Sequence, residues 1–284
     1  MEEIIKKADI LIDALPYIKK FRGKEVIVKH GGSTMESPEV TRSIIEGLVF
    51  LHFVGLRPIL IHGGGAAITA NLEKAGIKTE FKSGHRVTDA ASMKIVEDTL
   101  EEINKGIVHE INHLGARAIG LGHGNGILTV SKKLINGNDV GFVGNVESVN
   151  VQALKDLTQA NIIPVVYPVG IDDKGNLYNV NADEAAAKIA IAMKVSKVIF
   201  MTNVPGILKD PKNPKSLISS CSLAQVEGLI KQGVISGGMI PKVTGALLAL
   251  QGGVPKAHII DGRIKNSILL EIFTDSGIGT EIYI

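Results

Sequence analysis

The residues of this chain that could do chemistry cluster where short apolar runs give way to glycine. Lys29 follows Val26-Ile27-Val28 and precedes His30-Gly31-Gly32-Ser33-Thr34. Bare backbone N–H groups beside an ammonium suit phosphoryl oxygens, and Ser33 or Thr34 could cap a following helix. An ordinary strand-to-helix turn would read the same way, and the Walker pattern G-x-x-x-x-G-K-[ST] is missing. Ile59-Leu60-Ile61 leads into His62-Gly63-Gly64-Gly65, where three glycines let a backbone approach an anion closely. A lipase-type oxyanion loop also reads H-G-G-G, but it needs a G-x-S-x-G nucleophile elbow, and the sequence has none. The dinucleotide fingerprint G-x-G-x-x-G follows neither early strand, which weighs against a nicotinamide cofactor.

Further candidates lie downstream. In Gly84-His85-Arg86-Val87-Thr88-Asp89, the planar fork of Arg86 could clamp a carboxylate or sit in a surface ion pair. Asn179-Val180-Asn181-Ala182-Asp183 opens an alanine-rich helix, with Asn181 or Asp183 able to serve as a plain N-cap. Met201-Thr202-Asn203-Val204-Pro205-Gly206-Ile207 ends another apolar run. Ser236-Gly237-Gly238-Met239-Ile240-Pro241-Lys242 is a further glycine turn entering a helix. Lys242 opposes the dipole of that helix, a conflict that an anionic ligand would resolve. His109-Glu110-Ile111-Asn112-His113 matches H-E-x-x-H, two imidazoles on one helix face for zinc with Glu110 as base. The competing reading is a solvated helix end, and the longer zinc motif is broken by Ala116.

Positioning these residues takes alternating strands and helices. Val26–Val28, Pro58–Ile61, Ala118–Leu121, Ile127–Lys132, Ile162–Val166, Lys197–Met201, Ala257–Asp261 and Thr280–Ile284 read as strands. Helical spacing covers 38–54, the stretch after the second glycine cluster to 75, 89–114, 182–193, 222–232 and 239–250. Residues 3–15 form an amphipathic helix ahead of the fold that Pro16 should end, and Gly141–Asn150 alternates with turn glycines as a hairpin would. The alternation predicts an α/β fold on a mostly parallel sheet. Ligands bind such sheets beyond the carboxyl ends of the strands, where Gly31-Gly32 and Gly63–Gly65 fall.

Composition removes whole classes of function. Of 284 residues, 31 are Lys or Arg and 29 are Asp or Glu, a formal charge of +2 that gives no general pull toward nucleic acid or anionic membrane. With 7 Phe, 4 Tyr and 0 Trp, base-stacking platforms are not expected. A hydrophobic share of 45% is too high for a disordered chain. Cys221 is the only cysteine, so no intrachain disulfide forms, which fits a reducing compartment. Glu2 and Glu3 stand where a signal peptide needs basic residues. The longest near-apolar run, Ile162–Ile171, is interrupted by prolines and falls short of the ~20 residues that span a bilayer. A cytoplasmic protein with neither nucleic-acid nor membrane partners is the expectation.

The ordered set says more than any member. K-x-G-G-S, H-G-G-G, G-x-R-V-T, G-F-V-G-x-V, N-x-N-A-D, T-N-V-x-G-I and G-G-M-x-P-K occur in this order. From about residue 10 to the C-terminus the chain resembles the amino acid kinase family, most closely the members that phosphorylate N-acetyl-L-glutamate. The resemblance implies a three-layer αβα sandwich on a mainly parallel central sheet. It implies an N-terminal oligomerisation helix (1–20), an acetylglutamate-binding lobe (21–195) and an ATP-binding lobe with an arginine site (196–284). The reaction would be ATP-dependent phosphorylation of the substrate's side-chain carboxylate in arginine biosynthesis. Lys29 and Lys242 would flank the moving phosphoryl group, Asp183 would hold both lysines, and N–H groups near Gly32 and Gly64 would help. Gly64, Gly65, Arg86, Asn179 and Asn181 would bind acetylglutamate, with Arg86 on its α-carboxylate. Thr202, Asn203, Val204, Gly206, Ile207, Val234, Ile235, Ser236 and Gly237 would line the nucleotide site. Mg²⁺ would ride mainly on ATP phosphates and water, with no protein metal ligand. Arginine, as feedback inhibitor, would meet Tyr17, Glu271, Gly277 and Gly279, and the chain would form a dimer or a hexamer built as a trimer of dimers. Departures from the pattern are Asn266 where His is usual, His85 for Leu and His30 for an aromatic. Rival readings are another kinase of the same fold, such as one acting on glutamate, a zinc hydrolase on His109 and His113, and a non-catalytic amino-acid sensor. Lys29, Asp183 and Lys242 weigh against the sensor.

Overall fold

The structure, a computed structural model, describes every residue except Pro211, Gly237, Gly238 and Ser276, and only the backbone of Glu3, Lys6, Lys7, Ser33 and Pro214. Two helices, α1 (Glu2–Asp13) and α2 (Leu15–Phe21), precede the first strand. α1 stops at Asp13, just before Pro16, as the sequence reading has it, but the proline opens a second helix rather than a loop. It sits in the first turn of α2, where a missing N–H costs no intrahelical bond. Then follow β1 (Glu25–His30), α3 (Pro38–Phe53), β2 (Arg57–His62), α4 (Gly65–Lys74), a hairpin of β3 (Phe81–Lys82) and β4 (His85–Arg86), and the long α5 (Ala90–His113). Next come β5 (Ala118–Leu121), β6 (Leu128–Ile135), β7 (Asn138–Val149), α6 (Val151–Gln159), β8 (Ile163–Val166), β9 (Val169–Ile171), β10 (Leu177–Asn179) and α7 (Ala182–Met193). The chain closes with β11 (Val198–Thr202), β12 (Ser220–Ser222), α8 (Leu223–Lys231), α9 (Met239–Gln251), β13 (Lys256–Asp261), α10 (Ser267–Ile272) and β14 (Thr280–Tyr283).

Eight strands form one sheet in the order β12-β14-β13-β11-β1-β2-β8-β5. Neighbours are parallel except β13 with β14. Successive side chains point to opposite faces, so each interior strand feeds two core layers. Ile27, Ile59, Ile61, Val198 and Phe200 meet Leu154 of α6, Ala186 and Ile189 of α7, Val226 of α8 and Val243 of α9. Val26, Val28, Leu60, Ile199 and Met201 meet Ile44 and Leu48 of α3, Ile107 and Ile111 of α5, and Ile268 of α10. Helices therefore cover both faces, an αβα sandwich, which is why these strands read as unbroken apolar runs. The strand order reverses between β1 and β11, and the crevice outside their carboxyl ends is the usual ligand position.

A small closed barrel of β10, β7, β6 and β9 stands beside the sheet. Residues 141–150 are one arm of a hairpin rather than a whole one. β6 and β7 pair antiparallel across Asn136 and Gly137, whose φ values of 50° and 77° make the left-handed pair of a tight turn. β9 and β10, three residues each, are too short for an alternation to register.

Candidate active site

β1 carries Lys29 to the carboxyl edge of the sheet. Gly31 lets the side chain fold over its own turn, since a Cβ there would lie 2.6 Å from Lys29 Nζ. Lys29 is 8% exposed and pairs with Asp183 Oδ1 at 2.8 Å. Asp183 is free for this because Asn181 caps α7: Asn181 Oδ1 accepts from the N–H groups of Asp183 at 2.8 Å and Glu184 at 3.2 Å. The expected cap after Gly31-Gly32 is not Thr34, whose hydroxyl donates back to Gly31 O at 2.8 Å. A short 3₁₀ turn (Gly32–Glu36) intervenes, and α3 is capped by Ser37, which accepts from Val40 N–H at 3.3 Å. The Ser33 side chain lies outside the described residues.

The histidines that end β1 and β2 are scaffold. His62 Nδ1 donates to Gly63 O at 2.8 Å, and its Nε2 accepts from Asn104 Nδ2 at 3.0 Å. Burial pushes the His62 imidazole down to about 4 and, with help from the Lys29 charge, that of His30 to about 3. Both rings are neutral at pH 7 and frame the glycine turns. Gly64 and Gly65 open α4 toward a cavity of about 540 Å³, also lined by Lys29, Gly32, Arg86, Asn179, Asn181 and Asp183.

Arg86 is 7% exposed, and no ion pair among the described residues involves it. The surface ion-pair reading therefore fails. One terminal nitrogen donates to Thr79 Oγ1 at 3.1 Å, the other to Gly65 O at 2.9 Å and Thr69 Oγ1 at 2.8 Å. The guanidinium lies 4.8 Å from the Phe81 ring centroid. Neutral partners thus fix the fork and leave its charge without a carboxylate, the arrangement that an anionic ligand completes. Asn179 Nδ2 donates to Thr88 Oγ1 at 3.3 Å, and that hydroxyl donates to Arg86 O at 2.8 Å. One threonine therefore ties Asn179 to the Arg86 strand.

On the other side of β1, Thr202 ends β11. Its hydroxyl donates to Val204 O at 3.0 Å, fixing the turn that holds Asn203. Ile207 N–H donates to Thr280 Oγ1 at 2.8 Å, close to Gly206. Val234 is half-buried, Ile235 is buried in the same core layer as Ile207, and Ser236 is exposed. Gly237 lies outside the described residues. Lys242 Nζ donates to Asn203 Oδ1 at 2.6 Å. This corrects the expectation that Asp183 holds both lysines, for it holds Lys29 alone. Lys242 is nonetheless a neighbour. Gly245, one turn further along α9, packs so tightly on α7 that a Cβ would lie 2.9 Å from Asp183 Cβ. Burial lowers the Lys242 pKa, and the charges of Arg263 and Lys29 lower it further.

A second cluster forms at the C-terminus. Glu271 is 7% exposed, pairs with His258 Nδ1 and accepts from Ile278 N–H at 3.0 Å through Oε2. A Cβ on Gly277 would lie 2.7 Å from the same oxygen, and one on Gly279 would strike Ile259 O. Tyr17 donates to Asp275 Oδ1 at 2.5 Å and packs edge-on against Phe273. Tyr17, Glu271, Gly277 and Gly279 thus gather in one region. Asn266 adopts a left-handed φ of 59°, a conformation asparagine tolerates better than most residues. His109 and His113 are exposed on α5, Glu110 lies within 4.0 Å of Arg42, and no group of three metal-ligating side chains occurs among the described residues.

The sequence reading missed Thr69, Thr79, Thr88, Gly245 and the Asp261–Arg263 pair at 2.7 Å. Asp261 ends β13 on the ligand edge of the sheet, so the strand-end rule could have found it. Thr69 and Thr79 carry no signal without the fold, and Thr88, although it stands in the G-x-R-V-T motif, was not given a role there.

Comparison with known proteins agrees with this geometry. The amino acid kinase family matches residues 24–261. Acetylglutamate kinase of Desulforamulus reducens is 48% identical over 280 residues, 98% of each chain. That of Carboxydothermus hydrogenoformans is 46% identical over 290 residues, 99% of each. The solved N-acetylglutamate synthase from Neisseria gonorrhoeae, complexed with coenzyme A and N-acetyl-glutamate, superposes with a TM-score of 0.87 at 23% identity over 98% of this chain. The chain spans 63% of that synthase's length. On family match, identity and fold together, the chain belongs to the amino acid kinase family.

Proposed function

We propose that this chain transfers the γ-phosphoryl group of ATP to the side-chain carboxylate of N-acetyl-L-glutamate, giving N-acetyl-L-glutamyl 5-phosphate for arginine biosynthesis. The observation that carries the reading is one cavity lined both by Arg86, a buried cation without a carboxylate partner, and by the Lys29–Asp183 pair. A dicarboxylate whose amine is masked as a neutral amide fits that layout, and the full-length relatives named acetylglutamate kinase support it.

The chemistry needs no general base, because a carboxylate is ionised at pH 7. Its oxygen attacks the γ-phosphorus, the bond to the bridging oxygen breaks, and that electron pair leaves with ADP. The obstacle is an anion meeting a polyanion, so catalysis is positioning and charge neutralisation. Lys29, held by Asp183, and Lys242, coming from α9, supply positive charge on either side of the phosphoryl group. N–H groups at Gly32, Gly64 and Gly65 supply fixed dipoles. Arg86 takes the α-carboxylate and Asn179 and Asn181 the remaining polar atoms. The carboxylates lining the cavity are Glu73 and Asp183, and Asp183 is engaged by Lys29. Mg²⁺ would therefore travel on ATP phosphates and water.

In this reading residues 21–195 bind acetylglutamate, 196–284 bind ATP through Thr202–Ile207 and 234–237, and 1–20 drive assembly. Ile4, Ile5, Ile10, Leu11 and Ile12 of α1 are exposed, which favours burial against another copy, in a dimer or hexamer. Arginine would bind with its guanidinium on Glu271 and its carboxylate on the glycine-rich backbone, and Tyr17 links that site to α2. Among the described residues no helix is long and apolar enough to cross a membrane, and Cys221 is a free, buried thiol; a cytoplasmic setting is the reading. The test is ADP release with acetylglutamate, glutamate and aspartate, each with and without arginine. Release with acetylglutamate alone, reduced by arginine, is expected. Preference for glutamate would overturn the substrate assignment.

A further inference from the structure

The hairpin β3–β4 cannot hold its own position. Its strands have two residues each, and Phe81 to Gly84 are exposed. A lone hairpin of that size is not stable in water. Its turn is at least well made, with Ser83 and Gly84 left-handed at φ 47° and 80°. Yet this hairpin delivers Arg86 and rims the acetylglutamate cavity through Phe81, Gly84 and His85. Arg86 is one anchor. The other is His85, which the phosphoryl-transfer scheme leaves unused.

His85 Nδ1 donates to Ser83 O at 3.1 Å. Its Nε2 is buried, makes no hydrogen bond, and lies 3.9 Å from Glu184 Oε2. Glu184 stands beside Asp183 in the first turn of α7, and the same oxygen takes Lys133 Nζ of β6 at 2.5 Å. Burial works to raise the Glu184 pKa, but the contacts with His85 and Lys133 outweigh it and hold the carboxyl below its usual range. The ring thus spans from Ser83 O on its Nδ1 side to Glu184 Oε2, 3.9 Å from its Nε2. The three residues thereby join the hairpin, α7 and the barrel. They also line a neighbouring cavity of about 770 Å³, and His85, with Gly84, Asn181 and Asp183, borders both spaces.

We propose that His85, Glu184 and Lys133 are positioning residues that latch the β3–β4 hairpin onto α7 and the barrel, close the acetylglutamate cavity on that side and fix Arg86 for the α-carboxylate. This rests on the acetylglutamate reading. The latch shapes substrate binding rather than the transfer step, so its loss appears in KM for the carboxylate substrate and not in kcat.

Kinetics of wild type, His85→Leu, His85→Gln and Glu184→Gln, with acetylglutamate varied at saturating ATP, test this. His85→Leu and Glu184→Gln should raise KM for acetylglutamate roughly five- to twentyfold, with kcat changed less than about twofold. His85→Gln, whose amide N–H can reach Glu184, should restore most of the loss. Amide hydrogen exchange at 81–86 is the companion measurement and needs no turnover. It should accelerate in His85→Leu while β1 stays protected. Unchanged KM, a kcat loss without a KM change, or unchanged exchange in the hairpin would overturn the latch. Accelerated exchange in a protein whose wild type ignores acetylglutamate would keep the latch and remove the functional reading. If His85→Leu does not fold, Glu184→Gln and Lys133→Met carry the same comparison.

Discussion

The two ends of the proposed cleft are built by different means. At the carboxylate end, charge is fixed by regular structure. Lys29 leaves an interior strand for an aspartate in the first turn of α7, and Arg86 is forked onto two threonines and a helix-opening carbonyl. At the nucleotide end, Lys242 rests on Asn203, a turn residue just past β11, with Arg263 and Lys29 near enough to depress its pKa. The acceptor site is thus preorganised before any ligand arrives. At the proposed nucleotide end the charges of Arg263 and Lys29 act on Lys242, partly offset by Asp261, which pairs with Arg263, and an entering phosphate would offset them further. Binding order should follow, with acetylglutamate meeting a finished site and ATP completing an unfinished one.

The largest effect that could break this contrast is at Lys242. Lys242→Ala should lower kcat by about 10³-fold, because it removes charge needed only as the phosphoryl group moves. Unchanged turnover would remove Lys242 from the mechanism. Arg86→Lys comes next. A single ammonium cannot replace a fork held by three acceptors, so KM for acetylglutamate should rise roughly 10- to 100-fold with a smaller change in kcat. Gly31→Ala sharpens the comparison in another way. The added Cβ meets only the far end of Lys29, since Gly31 is in extended backbone that alanine adopts. Folding stability should move by under about 1 kcal/mol, while kcat falls about tenfold through displacement of Nζ.

The smallest effect concerns the frame. His30 and His62 have pKa values of about 3 and about 4 in the fold, against 6.5 ordinarily. The unfolded chain therefore binds protons that the fold refuses. Stability from these groups is full above about pH 6.5 and falls as pH drops toward 4. Thermal unfolding between pH 7 and pH 5 should lose roughly 5–10 °C, and His62→Gln should shrink that loss.

What the sequence made legible divides along the same line. Interior strands such as Val26–Val28 and Ile59–Ile61, and the glycine turns after them, are local patterns that the fold keeps. Arg86 was recognisable as a clamp, but its burial depended on Thr69 and Thr79 from other elements. The Asn136-Gly137 dipeptide is itself a two-residue hairpin signal, but turn glycines recur at 141 and 144, so the local pattern does not single out the pair that reverses the chain. Lys242 on Asn203 was out of reach because the two residues lie on different elements, α9 and the turn after β11, which only the fold brings together. His85 shows the same limit: its partner Glu184 lies 99 positions away, and no spacing rule joins them.

The product of the proposed transfer is an acyl phosphate on acetylglutamate. Hydroxylamine traps acyl phosphates as hydroxamates, so the most direct measurement is ATP-dependent hydroxamate formation with acetylglutamate and with glutamate. Hydroxamate from acetylglutamate, in step with ADP release, is the expected result. ADP release without hydroxamate, or hydroxamate from glutamate alone, would contradict the account.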